Sequence, residues 1–141
     1  MSKSRVLFLC VGNSCRSQMA EAIMNARLGE QWEAFSAGSR PAGFVHPIAI
    51  KVLSEIGIEH QGRSKSINEF LGQSFDVVIT LCDDSADDCP VWLGKGAKLH
   101  YPFPDPAVVT GNDEKIIQAF RQVRDEIYEK IISLLAAYEN R

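Results

Sequence analysis

No block of lysines and arginines interrupts this sequence: 15 basic residues are spread among 18 acidic ones, for a formal net charge of −3. A nucleic-acid-binding surface needs clustered positive charge, so that class is set aside. Long apolar runs are missing as well. No stretch approaches the roughly 18 apolar residues of a membrane span. The run Val6-Leu7-Phe8-Leu9 is too short for a secretory signal core and has no small-residue cleavage site behind it. A cytoplasmic protein without membrane contact is expected. Metal-clip spacing is also absent, since Cys10 and Cys15 lie five apart and Cys82 and Cys89 seven apart, neither of them a zinc CxxC pair. In a reducing compartment the four thiols are not a permanent disulfide framework, and no bound metal is expected. Repeats, low-complexity tracts and linkers are lacking. A chain of 141 residues with 45% apolar content suits one domain over 1–141, whose core needs no cross-links.

What is present alternates in period. Residues 6–9 form a continuous apolar run, the pattern of a strand buried on both faces. Over 17–28 the apolar residues Met19, Ala20, Ile23, Met24 and Leu28 recur at helical spacing and stop at Gly29. A short strand is predicted over 32–37 and a helix over 47–56, with Pro47 in its first turn. Buried and short strands follow at 75–81 and 98–101. Residues 113–138 carry an amphipathic pattern through Ile116, Phe120, Val123, Ile127, Ile131 and Leu135, which predicts a long helix. Strands alternating with helices predict an α/β fold: a parallel sheet with helices on both faces.

The chemistry concentrates in Cys10-Val11-Gly12-Asn13-Ser14-Cys15-Arg16-Ser17, between the first strand and the first helix. Open parallel sheets bind ligands at the carboxyl ends of their strands. A tight loop there, leading into a helix N-terminus, aims backbone N–H groups at one point and adds the favourable end of the helix dipole. Such a cradle suits a tetrahedral dianion. Gly12 is expected to supply a conformation closed to residues with a Cβ. Arg16 offers a planar fork of donors to two anion oxygens. A positive focus favours the thiolate form of Cys10, and Ser17 can donate a hydrogen bond to that sulfur. Cys15 matches no catalytic position and is read as packing under the loop. His46, His60 and His100 are scattered and receive no catalytic role; for Phe103 and Trp92 core packing is the reading preferred to a place at the mouth of the site.

The loop resembles the signature of the low-molecular-weight protein tyrosine phosphatase superfamily, and the similarity runs along essentially the whole chain. The resemblance implies a four-stranded parallel sheet flanked by helices, the phosphotyrosine phosphatase I fold, and a late Asp-Pro loop that supplies a general acid. Asp105-Pro106 stands in that place. Phosphate and arsenate share charge and shape, so the loop alone does not choose between them.

Two further features separate phosphatase from reductase. Cys82 begins a loop at the same sheet edge as Cys10, and Cys89-Pro90 follows seven residues on, across a polar run suited to a mobile segment. Two extra thiols there suggest relayed thiol–disulfide exchange. Ala107 follows Asp105-Pro106, where tyrosine phosphatases of the superfamily usually carry an aromatic residue. Together with cysteines at 10, 82 and 89, this is similar to the thioredoxin-coupled arsenate reductase branch. That resemblance implies a Cys10–arsenate adduct, a Cys10–Cys82 disulfide as arsenite leaves, and transfer to a Cys82–Cys89 disulfide reduced by thioredoxin. It implies no cofactor, small oxyanions such as phosphate or sulfate as competing ligands, and a monomer by default. A regular helix over 82–89 would part the two Cα atoms by roughly 10 Å, beyond disulfide reach, so an irregular or unwinding segment is expected.

Some members of that branch bind potassium through residues equivalent to Asn13, Glu21, Ser36 and an acidic side chain at 65. Here position 65 is lysine. Its ammonium is expected to take the place of the cation, pair with Glu21 and fix Asn13. The competing readings are a tyrosine-type phosphatase using Cys10, Arg16 and Asp105, and a non-catalytic oxyanion sensor.

Overall fold

The computed structural model describes residues 3–83 and 89–138. Four strands, β1 (Ser4–Cys10), β2 (Trp32–Gly38), β3 (Val77–Thr80) and β4 (Ala97–His100), form one sheet in the order β2-β1-β3-β4. All three pairings are parallel. The α-helices are α1 (Arg16–Arg27), α2 (Pro47–Ser54) and α3 (Asp113–Tyr138), with short 3-10 helices at Ile67–Phe70 and Pro106–Val108. The expected α/β architecture is therefore present, and no helix among the described residues is long and apolar enough to cross a membrane.

Alternation along the central strand builds two cores. Val6 and Phe8 of β1 point into the larger one, with Met19, Ile23 and Met24 of α1, Val52 and Leu53 of α2, and Phe120, Ile127 and Ile131 of α3. Leu7 and Leu9 point the other way, toward Val78, Phe70, Phe75 and Trp92. Helices thus lie against both faces but differ in kind: three α-helices cover one face, and the 3-10 helix Ile67–Phe70 helps cover the other. Phe103 and Trp92 are buried, as core packing requires.

Several boundaries differ from the sequence reading by a residue or two. β1 is longer than 6–9 because Ser4 and Arg5 pair with Trp32 and Glu33 of β2 despite their polar side chains. α2 stops at Ser54 rather than 56, since Gly57 adopts φ +80° and turns the chain. β1 and β3, the adjacent central strands, deliver Cys10 and the segment Leu81-Cys82 to the same edge; the Leu81 amide donates to the Leu9 carbonyl at 2.8 Å.

Candidate active site

The loop after β1 is held from outside. The Val11, Gly12 and Ser14 carbonyls accept from the amides of Arg40, Ala42 and His46, at 2.9, 2.9 and 3.0 Å. The Ser64 hydroxyl also donates to the Gly12 carbonyl, and the Gln18 amide donates to the Asn13 carbonyl at 3.2 Å. Four successive carbonyls, those of residues 11–14, are thus engaged by groups outside the loop or on α1. α1 begins there without a side-chain cap at Cys15 and without an acidic residue in its first turn. An uncapped helix N-terminus without acidic neighbours favours an anion.

One expectation about this loop is corrected. Gly12 does not hold the left-handed conformation; Asn13 does, at φ +48°. Asparagine tolerates that region because its short polar side chain bonds locally. Here it is locked: the Asn13 Oδ1 accepts from the Lys65 amide at 2.7 Å and from Gln18 Nε2 at 2.9 Å. The glycine that the loop requires is Gly38, at the end of β2. A Cβ there would overlap the Val11 carbonyl and crowd the Asn13 amide. Nothing in the local sequence marks Gly38 as special, because the close approach comes from a neighbouring strand.

Cys10, Ser14, Arg16, Phe44, His46 and Asp105 are among the residues lining a cavity of about 230 Å³. Cys10 lies 2.8 Å from the Ser17 hydroxyl, and Asn13 Nδ2 donates to that oxygen at 2.8 Å. Ser17 accepts from Asn13, so its own hydrogen is free for the sulfur, as the sequence suggested. The Arg16 guanidinium is buried and anchored by one nitrogen: Nη1 donates to the Phe103 carbonyl at 3.1 Å and to that of Leu81 at 3.4 Å. Arg16 also lines the cavity, and these two bonds leave its Nε and Nη2 unused. Nη2 sits 3.7 Å from an Asp105 carboxylate oxygen, and the other oxygen of Asp105 accepts from the Ala107 amide. Asp105 is thus aimed by its own 3-10 turn and held beside the guanidinium.

The remaining predicted residues take distinct places. Val11 is half-buried, and Asn13 and Ser17 are fully buried. Burial, with Asp105 and Cys10 nearby, pushes the Cys15 thiol up to about 12 against the opposing Arg16. That shift favours the neutral thiol, in keeping with a packing role for the buried Cys15. Cys82 is fully buried, Cys89 half-buried, and the two form a disulfide with Cα atoms 5.8 Å apart. The expectations of irregularity and mobility between them fall on residues 84–88, outside the described residues.

The Lys65 ammonium lies beside Glu21 and Ser36. Its Nζ lies 3.6 Å from Glu21 Oε1, donates to the Arg63 carbonyl at 2.7 Å and reaches Ser36 Oγ at 3.4 Å. Ser36 in turn donates to Glu21 at 2.6 Å. Asn13 is fixed by the Lys65 backbone amide rather than by the ammonium, a difference from the sequence reading. Two histidines that sequence spacing passed over lie close to the loop. His46 caps α2 through Nδ1, which accepts from the Ile48 amide, and its ring packs 4.7 Å from Phe120. His60 reaches Gln18 at 2.7 Å. Neither has a motif around it; each becomes relevant only through the fold.

The model of the low molecular weight phosphotyrosine protein phosphatase family matches residues 5–141. The chain is similar to an arsenate reductase of Halalkalibacterium halodurans, 45% identical over 132 residues that span 93% of this chain and 94% of the relative. Among solved structures it resembles the arsenate reductase from Archaeoglobus fulgidus, with a TM-score of 0.78, 32% identity and coverage of 93% and 98% of the two chains. A thioredoxin-dependent arsenate reductase of Corynebacterium glutamicum superposes with a TM-score of 0.68 at 32% identity, covering 96% of this chain and 63% of that one.

Proposed function

Because the chain belongs to the low molecular weight phosphotyrosine protein phosphatase family, we propose that it is an arsenate reductase that attacks with Cys10 and draws two electrons from Cys82 and Cys89. The observation that carries this reading is the Cys82–Cys89 disulfide at the sheet edge that also bears the Cys10 loop. A phosphatase turns over without any change in oxidation state and has no use for such a pair. The arsenate reductases among the relatives support the same choice.

In this mechanism the loop amides, the α1 N-terminus and the Arg16 fork bind the oxyanion. Site residues are Cys10, Arg16 and Asp105, with the backbone and side chains of residues 11–17 as the cradle. The Cys10 thiolate forms a sulfur–arsenic bond as an arsenate oxygen departs with a proton, which Asp105 is placed to give. The Cys82 thiolate then attacks the Cys10 sulfur. The pair in the sulfur–arsenic bond passes to arsenic, arsenite leaves, and Cys10 and Cys82 are joined. Cys89 attacks Cys82 next, releasing Cys10 as thiolate and leaving the Cys82–Cys89 bond. Cys89 is the more exposed residue of that pair, so an external dithiol attacks there and Cys82 is the leaving thiolate. Thioredoxin is the proposed donor, supported by the thioredoxin-dependent neighbour. Phosphate and sulfate compete for the same cradle. A monomeric cytoplasmic protein of one domain over 1–141, with no cofactor, completes the proposal.

Asp105 beside Arg16 also favours weak hydrolysis of aryl phosphates. A steady-state assay separates the two activities. With thioredoxin, its reductase and NADPH, arsenate drives NADPH oxidation, and the Cys82→Ser and Cys89→Ser variants do not; both variants hydrolyse an aryl phosphate as the parent does. Arsenate-dependent oxidation surviving both substitutions would overturn the relay.

A further inference from the structure

Four hydrogen bonds connect His60 to the sulfur of Cys10. His60 Nε2 lies 2.7 Å from Gln18 Oε1, Gln18 Nε2 2.9 Å from Asn13 Oδ1, Asn13 Nδ2 2.8 Å from Ser17 Oγ, and Ser17 Oγ 2.8 Å from Cys10 Sγ. The direction of every bond follows from its neighbours. The Lys65 amide donates to Asn13 Oδ1, so the Asn13 oxygen faces Lys65 and its NH2 group faces Ser17. Gln18 Nε2 donates to the Arg63 carbonyl as well as to Asn13, so the Gln18 oxygen faces His60. An amide oxygen only accepts, so the His60 proton sits on Nε2. Each donor in the series therefore points toward the sulfur, an arrangement in which hydrogen bonds strengthen one another.

The inner part of the path is buried and sterically shaped. Asn13, Ser17 and Gln18 are each 0% exposed. Gly62 carries no side chain where one would intrude: a Cβ there would overlap both His60 Nε2 and Gln18 Oε1. We propose that His60 is a positioning residue for the nucleophile, orienting Gln18 and, through Asn13 and Ser17, holding the serine proton on the Cys10 sulfur. Burial pushes the His60 imidazole below its ordinary value; Glu21 of α1 opposes this and Lys65 reinforces it. Both the neutral Nε2–H form and the cation keep the donor toward Gln18, so ionisation of His60 does not break the path.

The inference rests on Cys10 being the nucleophile, and the test keeps the two apart. Alkylation of the reduced full-length chain by iodoacetamide is followed at the Cys10 peptide by mass spectrometry across a pH series. In His60→Phe the Cys10 profile moves to higher pH, so that at the foot of the parent profile the rate falls about threefold to tenfold. His60→Gln, which keeps an N–H donor toward Gln18, restores the parent profile. Gly62→Ala, whose methyl group falls between the two side chains, shifts it as His60→Phe does, and this variant carries the test should the phenylalanine variant not fold. In a Ser17→Ala background His60→Phe adds no further shift. A His60→Phe profile that coincides with the parent, equal shifts for Phe and Gln, or a full additional shift without Ser17 each overturns the proposal. A parent chain whose Cys10 is not the fastest-reacting thiol would instead remove the nucleophile assignment itself.

Discussion

The two central strands end at the same sheet edge and are finished in opposite ways. After β1 the chain enters a loop whose carbonyls at 11–14 and buried Asn13 and Gln18 side chains are engaged. After β3 the Leu81 amide bonds to Leu9, and beyond it stand the Cys82–Cys89 disulfide and Pro90, which has no amide hydrogen to give. The oxyanion half needs donors fixed before substrate arrives, since stabilisation of developing charge depends on groups that do not reorganise. In the proposed relay the thiol half forms two different disulfides in turn, which a fully bonded backbone would resist. Two mechanical demands are met by adjacent strands of one sheet.

Substitutions on either side of that contrast sharpen it, beginning with the nucleophile. Cys10→Ser lowers arsenate reduction at least about a thousandfold, read as arsenite formed per chain. Cys89→Ser, on the other half, leaves a single turnover intact and stops the next, so the first burst of arsenite survives while steady-state rate is lost. A smaller effect comes from Arg16→Lys. A point charge cannot reproduce the fork or the anchoring bonds to Phe103 and Leu81, so KM for arsenate rises about tenfold to a hundredfold, with sulfate inhibition weakened in parallel.

Smaller still is the response to potassium. The Lys65 ammonium already pairs with Glu21 behind the loop, so exchanging potassium for a larger monovalent cation at fixed ionic strength changes the rate by less than about twofold. A several-fold stimulation with a constant counter-anion would contradict that assignment. The smallest effect lies away from the site, where Glu55 at the end of α2 joins Arg121 and Arg124 of α3. Hydrogen bonding from Arg121 holds the Glu55 carboxyl down at about 2, from an ordinary 4.5. A lowered carboxyl stabilises the fold above the ordinary value, and that contribution is lost as pH falls from 4.5 toward 2. Glu55→Gln therefore lowers Tm by about 2–4 °C near neutrality, and the gap to the parent closes in acid.

Periodicity was enough to place the strands and helices, because buried runs and amphipathic spacing are local signals. The residues of the loop were readable for the same reason: Cys10, Arg16 and Ser17 fall within one eight-residue stretch, and their jobs follow from side-chain chemistry. Gly38, His60 and Gly62 were not. Each acts by close approach to a residue far away in sequence, Gly38 to Val11 and His60 to Gln18, and no spacing rule reports such a contact. The misassignment of the left-handed residue to Gly12 has a related cause. Glycine is the safer guess for that conformation, whereas Asn13 adopts it with the help of Lys65, 52 residues later.

The relay between the two halves is tested most directly by letting the fully reduced protein consume arsenate with no reductant present, then mapping its disulfides against time. The account requires one arsenite per chain, a transient bond between Cys10 and Cys82, and a final bond between Cys82 and Cys89 with Cys10 again free. Arsenite formed without any disulfide, or a terminal product in which Cys10 remains joined to Cys82, would contradict it.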